Sequence, residues 1–171
     1  KAYYRERDEK HFVMNPSRIS PNFVNIIENN ESAKNNHSGI FKLNSNLYYN
    51  INLMNRFELS GSASIMKYDT QSDANFDDRD ELGYIIYAAH RFNNLRNLIL
   101  VTSVDLNLYH TVYIFGEKSS NNNWNRIIRF TSKSYFEPSD NFRNVGTFSV
   151  LANYTVYDFQ DIISTVKSYS F

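Results

Sequence analysis

The sequence predicts an all-β protein, an antiparallel two-sheet sandwich with jelly-roll wiring and roughly eight to ten strands. Three observations predict it. From about Phe23 to Leu151 apolar and polar residues alternate in short runs, the period of a strand with one face on a core and one in water. Aromatic content is 16%, almost all Tyr and Phe, types that suit a pleated, half-buried surface. The runs are separated almost everywhere by Asn, Ser and Asp. Asn fills roughly one position in seven, tolerates the left-handed conformation and hydrogen-bonds its own backbone, so it supplies the turns that five Gly and three Pro cannot.

The elements follow in order. Lys1 to Lys10 is mixed in sign and reads as a helix start or an arm, and Pro16 and Pro21 bracket an extended connector. Phe23 to Ile27 reads as a first strand, Glu28 to Ser38 as a polar loop, and Gly39 to Leu43 as a second strand. Leu47 to Met54 carries the clearest alternation, with Leu47, Tyr49, Ile51 and Leu53 on one side and Tyr48, Asn50 and Asn52 on the other. Leu59 to Tyr68 is a strand of small residues, and Asp69 to Glu81 an acidic interruption. Leu82 to His90 is apolar on both faces, as a central strand would be. Leu98 to Leu106, Thr111 to Phe115, Arg126 to Lys133 and Val145 to Leu151 complete the set, with a polar loop at Glu117 to Asn125 and a turn at Pro138 to Asn144.

Two readings of the tail stand. Val156, Phe159, Ile162, Ile163 and Val166 recur at helical spacing with Asp158 placed to cap, while the β-branched content favours a final strand. The expected organisation is an amino-terminal arm over 1–22, a jelly-roll domain over 23–152, and a tail over 153–171 packed on the sandwich or on a neighbouring subunit. Few connections look like two-residue hairpins, which favours Greek-key wiring over a meander.

Bulk properties narrow the function. The 171 residues suffice for one domain with a real core. Eighteen acids balance eighteen bases, so the chain lacks the basic excess that phosphate neutralisation needs, and nucleic acid is expected only through a basic arm preceding Lys1. Absence of cysteine excludes disulfides, thiolate zinc sites and cysteine nucleophiles. The longest apolar runs are about five residues, far short of a spanning helix, and no membrane partner is expected. No secretory signal is present, and the start at Lys1 reads as a processed or trimmed terminus.

Chemistry-bearing patterns are sparse. Asp69, Asp73, Asn75, Asp77, Asp78, Asp80 and Glu81 form the densest set of hard oxygen ligands, and Asp73, Asp77, Asp78 and Asp80 are the candidate Ca2+ ligands. As an EF-hand starting at Asp73 the pattern fails, because Asp78 stands where Gly belongs and Tyr84 where the bidentate Glu belongs. A solvated acidic loop is therefore the favoured reading, and no other cofactor is expected. His11, His37, His90 and His110 are scattered singly, and His110 is the one placed to sense pH near an interface. Sequons at Asn30, Asn36 and Asn153 are what chance gives in so Asn- and Ser-rich a chain. No G-x-S-x-G elbow, P-loop or G-x-G-x-x-G fingerprint occurs, so no enzyme activity is expected. Tyr48, Tyr87 and Tyr113 lie opposite the presumed core face and are the candidate interface residues.

Ser38-Gly39-Ile40-Phe41, followed after a turn by Leu47-Tyr48-Tyr49, resembles the C1q/tumour-necrosis-factor-like family, in which a G-x-F segment leads into a strand opening on an aliphatic–aromatic pair. Val104 to Ile114 is similar to that family's later leucine-alternating stretch, and Gly146-Thr147-Phe148 to its closing strand. The family's Pro and Gly before the aromatic pair are replaced by Asn44-Ser45-Asn46, and its Gly-Asp turn by Tyr109-His110. The resemblance implies a jelly roll that forms a homotrimer through aromatic faces and binds protein or glycan receptors by its outer loops. The expected function is therefore a non-enzymatic, self-assembling recognition module at the end of a fibre or stalk, or a secreted ligand. The alternative is the coat protein of a small or satellite-type icosahedral virus. Either places the protein outside the cell or in a virion.

Overall fold

A computed structural model describes residues 1–13, 16–72, 75–94, 97–160 and 163–170. The protein is all-β, as the alternation requires. Its strands are β1 (Ala2–Glu9), β2 (Asn36–Asn50), β3 (Asn55–Thr70), β4 (Arg79–Asn94), β5 (Leu98–Tyr113), β6 (Asn123–Ser139), β7 (Phe142–Tyr157) and β8 (Ile163–Ser170). They form one antiparallel sheet in the order β1-β2-β3-β4-β5-β6-β7-β8.

That topology departs from the expected wiring. Each strand ladders with its neighbour in sequence, so the connections make a meander, and the described strands form one layer instead of two. Six strands are 15 to 17 residues long. The short runs expected from sequence are pieces of them: Gly39–Leu43 and Leu47–Asn50 both belong to β2, and Leu98–Leu106 and Thr111–Tyr113 both belong to β5. Asn44-Ser45-Asn46 and Asn107 look like breaks in sequence, yet they continue in register against Ser62-Gly61-Ser60 and Ile85. Ladder pairing, with β3 for Asn44–Asn46 and with both β4 and β6 for Asn107, holds polar residues that would otherwise favour a turn.

The clearest predicted strand ends early. Ile51 to Met54 forms the β2–β3 turn, because Asn52 Oδ1 accepts the N–H groups of Met54 (2.9 Å) and Asn55 (2.8 Å) and folds the chain back. Ile51 and Leu53 are consequently exposed turn residues. Phe23 to Ile27 is helical, part of α1 (Pro21–Ser32). A five-residue apolar run does not separate strand from helix, and Pro21 at the helix start presets the first φ. Lys1 to Lys10 supplies β1 and the tail supplies β8, each pairing over half of its neighbour: β1 against Asn36–Leu43 of β2, and β8 against Ser149–Val156 of β7.

The two ends of the sheet differ. Strands β2–β3, β4–β5 and β6–β7 are joined by only two to four residues each, all at one end. The left-handed conformation of Asn97 (φ 98°) helps form the second of these connections. The opposite end carries the longer connections 10–35, 71–78, 114–122 and 158–162. No helix among the described residues is long and apolar enough to cross a membrane.

Candidate functional site

Register fixes which side chains share a face, because residues directly opposite in a ladder point the same way. One row reads Leu47, Leu59, Ala88, Val104, Phe130 and Val150 across β2 to β7. The rows beside it add Ile86, Leu106 and Ile128 on one side, and Tyr49, Phe57 and Phe148 on the other. This apolar face is continuous from β2 to β7. Its only charges on these strands are Lys67, Asp69, Asp80 and Arg126, all within a few residues of the long-loop end. Aromatics on this face gather toward both ends. Tyr49, Phe57, Phe136 and Phe148 lie toward the turns and Tyr4, Tyr84, Trp124 and Tyr154 toward the loops, with Phe130 between them.

Among the described residues nothing covers this face. Ala89 is the one buried hydrophobic residue among those described, and it lies on the other face. Leu47 is 61% exposed and Tyr49 64% exposed, and Leu59, Ile86, Val104 and Phe130 are also open. The side expected to form a core is thus an uncovered surface far larger than a soluble monomer ordinarily shows.

The opposite face is polar. It presents Lys42, Asn44 and Asn46 from β2, Arg56, Glu58 and a run of Ser60, Ser62 and Ser64 from β3, Arg91 and Tyr87 from β4, Ser103 and Asp105 from β5, and Arg129, Thr131 and Lys133 from β6. The three candidate interface tyrosines all lie here. The Arg56 guanidinium sits 4.5 Å from the centre of the Tyr48 ring. Tyr87 is half-buried. Tyr113 sits at the loop end opposite Arg79, and its backbone N–H donates to Asn122 Oδ1 (2.7 Å).

At the loop end the connections tie to one another. Asn75 Nδ2 donates to Ala33 O (2.9 Å), and Asp78 Oδ1 accepts from both Thr70 N (2.7 Å) and Thr70 Oγ1 (2.5 Å). Asp77 pairs with Lys118, Gln160 Nε2 donates to Ser120 O (3.0 Å), and Phe76 meets Phe115 edge to face. His110 stacks on Trp124 with ring centres 4.4 Å apart, and its Nε2 lies 2.8 Å from Asp158 Oδ2. His37 Nδ1 lies 2.7 Å from Asp8 Oδ1. His90 contacts Asn55 Oδ1 at 3.0 Å and stacks on Phe57. His11 donates its backbone N–H to Asn35 Oδ1 (2.7 Å). Asn36, marked in sequence only as a chance sequon, and Asn122 are the most deeply buried polar residues among those described. Asn36 Nδ2 reaches Glu9 Oε2 and Lys34 O, both at 3.2 Å.

The candidate Ca2+ ligands do not converge. Asp77 is engaged by Lys118, Asp78 caps Thr70, and Asp80 projects from the apolar face opposite Lys67 with its Oδ1 shielded and unpartnered among the described residues. Asp73 lies outside the described residues. Among those described, no group of three or more His, Asp or Glu side chains is arranged to hold a metal ion.

The four cations Arg56, Arg91, Arg129 and Lys133 on the polar face escaped sequence reasoning. The signal was present, since each stands at a polar position of a period-2 run, but only register shows that they are neighbours. No family model matches the chain, nor does any curated protein or solved structure, so what the molecule does is read from these two faces.

Proposed function

We propose that this sheet is the wall of a membrane-spanning β-barrel, with its apolar face toward lipid and its polar face lining a water-filled passage. One observation carries the reading: an apolar face runs unbroken from β2 to β7 and none of the described residues covers it. Run length is the criterion for a spanning helix, whereas a spanning strand needs only alternate residues to be apolar. Strands of 15 to 17 residues extend about 50 Å, and tilted by roughly 40° they rise about 40 Å, enough for the hydrocarbon layer and its interfaces. Short turns at one end, long connections at the other, and aromatics toward both ends of the apolar face all fit a barrel wall.

A bilayer leaves no backbone group unpaired, so the free edges of β1 and β8 pair there, with each other or with further strands. The same holds for Ser45–Asn50 of β2 and Phe142–Phe148 of β7, which the first and last strands do not reach. The test is reconstitution. We expect the protein to need detergent or lipid, to migrate differently on gels before and after boiling, and to show strands tilted about 35–45° from the membrane normal by infrared dichroism. A monodisperse species in plain buffer that ignores lipid vesicles would overturn the reading.

The same uncovered face supports a second reading. A second copy laid on it would give two sheets about 10 Å apart, which is the two-layer sandwich and the self-assembly that the alternation led us to expect. On that reading the jelly-roll comparison, the homotrimer and the viral shell are all variants of assembly in water. Light scattering without detergent separates the two: a discrete oligomer favours assembly, and aggregation relieved by detergent favours the barrel.

A further inference from the structure

We infer that the polar face forms an anion-selective constriction near the turn end, built by Arg56, Arg91, Arg129 and Lys133 against Glu58 and Asp105; this rests on the barrel reading above. Arg56 and Arg91 stand directly opposite each other on β3 and β4, and the same row continues through Val101 to Lys133. Neighbouring strands lie about 4.8 Å apart, so three cations share a line of about 15 Å, with Arg129 two positions along β6. Like charges directly opposite in a ladder destabilise it. A sheet with Ser and Asn at so many equivalent positions had neutral choices, and an arrangement that opposes folding is where function is expected.

Two other cations on the same face are paired, whereas Arg5 and Lys42 form no ion pair among the described residues and lie outside this cluster. Toward the loops Arg79 is held by Glu81 at 2.7 Å and lies over Tyr68, and Arg7 is held by Glu9 at 2.5 Å. Arg56, Arg91, Arg129 and Lys133 are exposed and form no ion pair among the described residues. Glu58 and Asp105 are more shielded, Glu58 one row from the Arg56–Arg91 pair and Asp105 directly opposite Arg129. Four open cations against two recessed acids leave a positive potential across the passage, which draws anions and repels cations. The ligand class is small anions, inorganic or carboxylate-bearing, passing and not retained.

The experiment is the reversal potential of the reconstituted protein in a planar bilayer under a KCl gradient, for wild type and for Arg56→Gln/Arg91→Gln/Lys133→Gln. We expect wild-type channels to prefer chloride over potassium severalfold at 0.1 M. The preference should collapse near 1 M as the screening length falls from about 10 Å to about 3 Å, and the triple variant should lose it at low salt. Channels that prefer potassium, or that show no preference at low salt, would overturn this inference and leave the barrel standing. So would a folded triple variant with unchanged selectivity. No channels at all from wild type would overturn both. The salt dependence of wild type tests the inference even where the triple variant does not insert.

Discussion

Gly83 and Gly61 occupy the two faces and carry opposite expectations. A Cβ on Gly83 would lie 2.6 Å from Ser64 Oγ and 3.4 Å from the Tyr109 ring, which packs over the glycine from the adjacent strand. Gly83→Val should cost about 1–3 kcal/mol by overpacking. Gly61 faces the apolar side with nothing within 4 Å, and Gly61→Ala should be neutral or stabilising by up to about 1 kcal/mol, since glycine gives up more backbone freedom on folding. Urea or guanidinium unfolding of both variants checks the contrast, and equal losses would refute it.

Strands and turns carry their own consequences. Val104 and Asp105 are adjacent on β5 yet face opposite ways. If the apolar face meets lipid, Val104→Arg should cost about 2–4 kcal/mol in bilayer-folded protein, while Asp105→Arg, facing water, should cost no more than about 1 kcal/mol, the penalty of setting it opposite Arg129. Equal tolerance of both would argue that Val104 does not face hydrocarbon. The β2–β3 turn hangs on Asn52, whose Oδ1 accepts from Met54 and Asn55. Asn52→Ala should cost about 1 kcal/mol and loosen the Asn50–Arg56 end of the ladder, which amide exchange reads directly. The same turn shows where legibility failed within an element. Alternation carries straight through Ile51 and Leu53, and periodicity records the spacing of apolar residues, not the hydrogen bond that stops the strand. At α1 the failure is different, because Phe23 to Ile27 is too short for its period to be measured.

At the scale of the molecule, the ends should be distinguishable from outside a vesicle. Lys34 and Lys118 lie in the long connections, whereas Arg56, Arg91 and Lys133 lie within strands on the polar face. Trypsin added to one side of sealed proteoliposomes should cut at Lys34 and Lys118 or at neither, according to orientation, and should spare the strand cations. Mass spectrometry of the fragments decides it; cleavage at Arg91 or Lys133 in intact vesicles would show the sheet lying in water. Tying of the loops through Asn75 to Ala33, Lys118 to Asp77 and Gln160 to Ser120 makes this end a connected platform, and cuts there should leave the fragments associated.

The sequence by itself determined that the chain is all-β and which residues share a side. Tyr48, Tyr87 and Tyr113 do lie together, opposite the apolar set, because side-chain direction in a strand depends on parity alone. Tertiary structure alone decided that the runs fuse into long strands, that they follow one another in a single sheet, and that Arg56 meets Arg91 across a ladder. It also decided that the apolar face lies open. Period 2 says that a face avoids water without saying whether protein or lipid lies against it, and register between strands depends on pairings that no one strand contains.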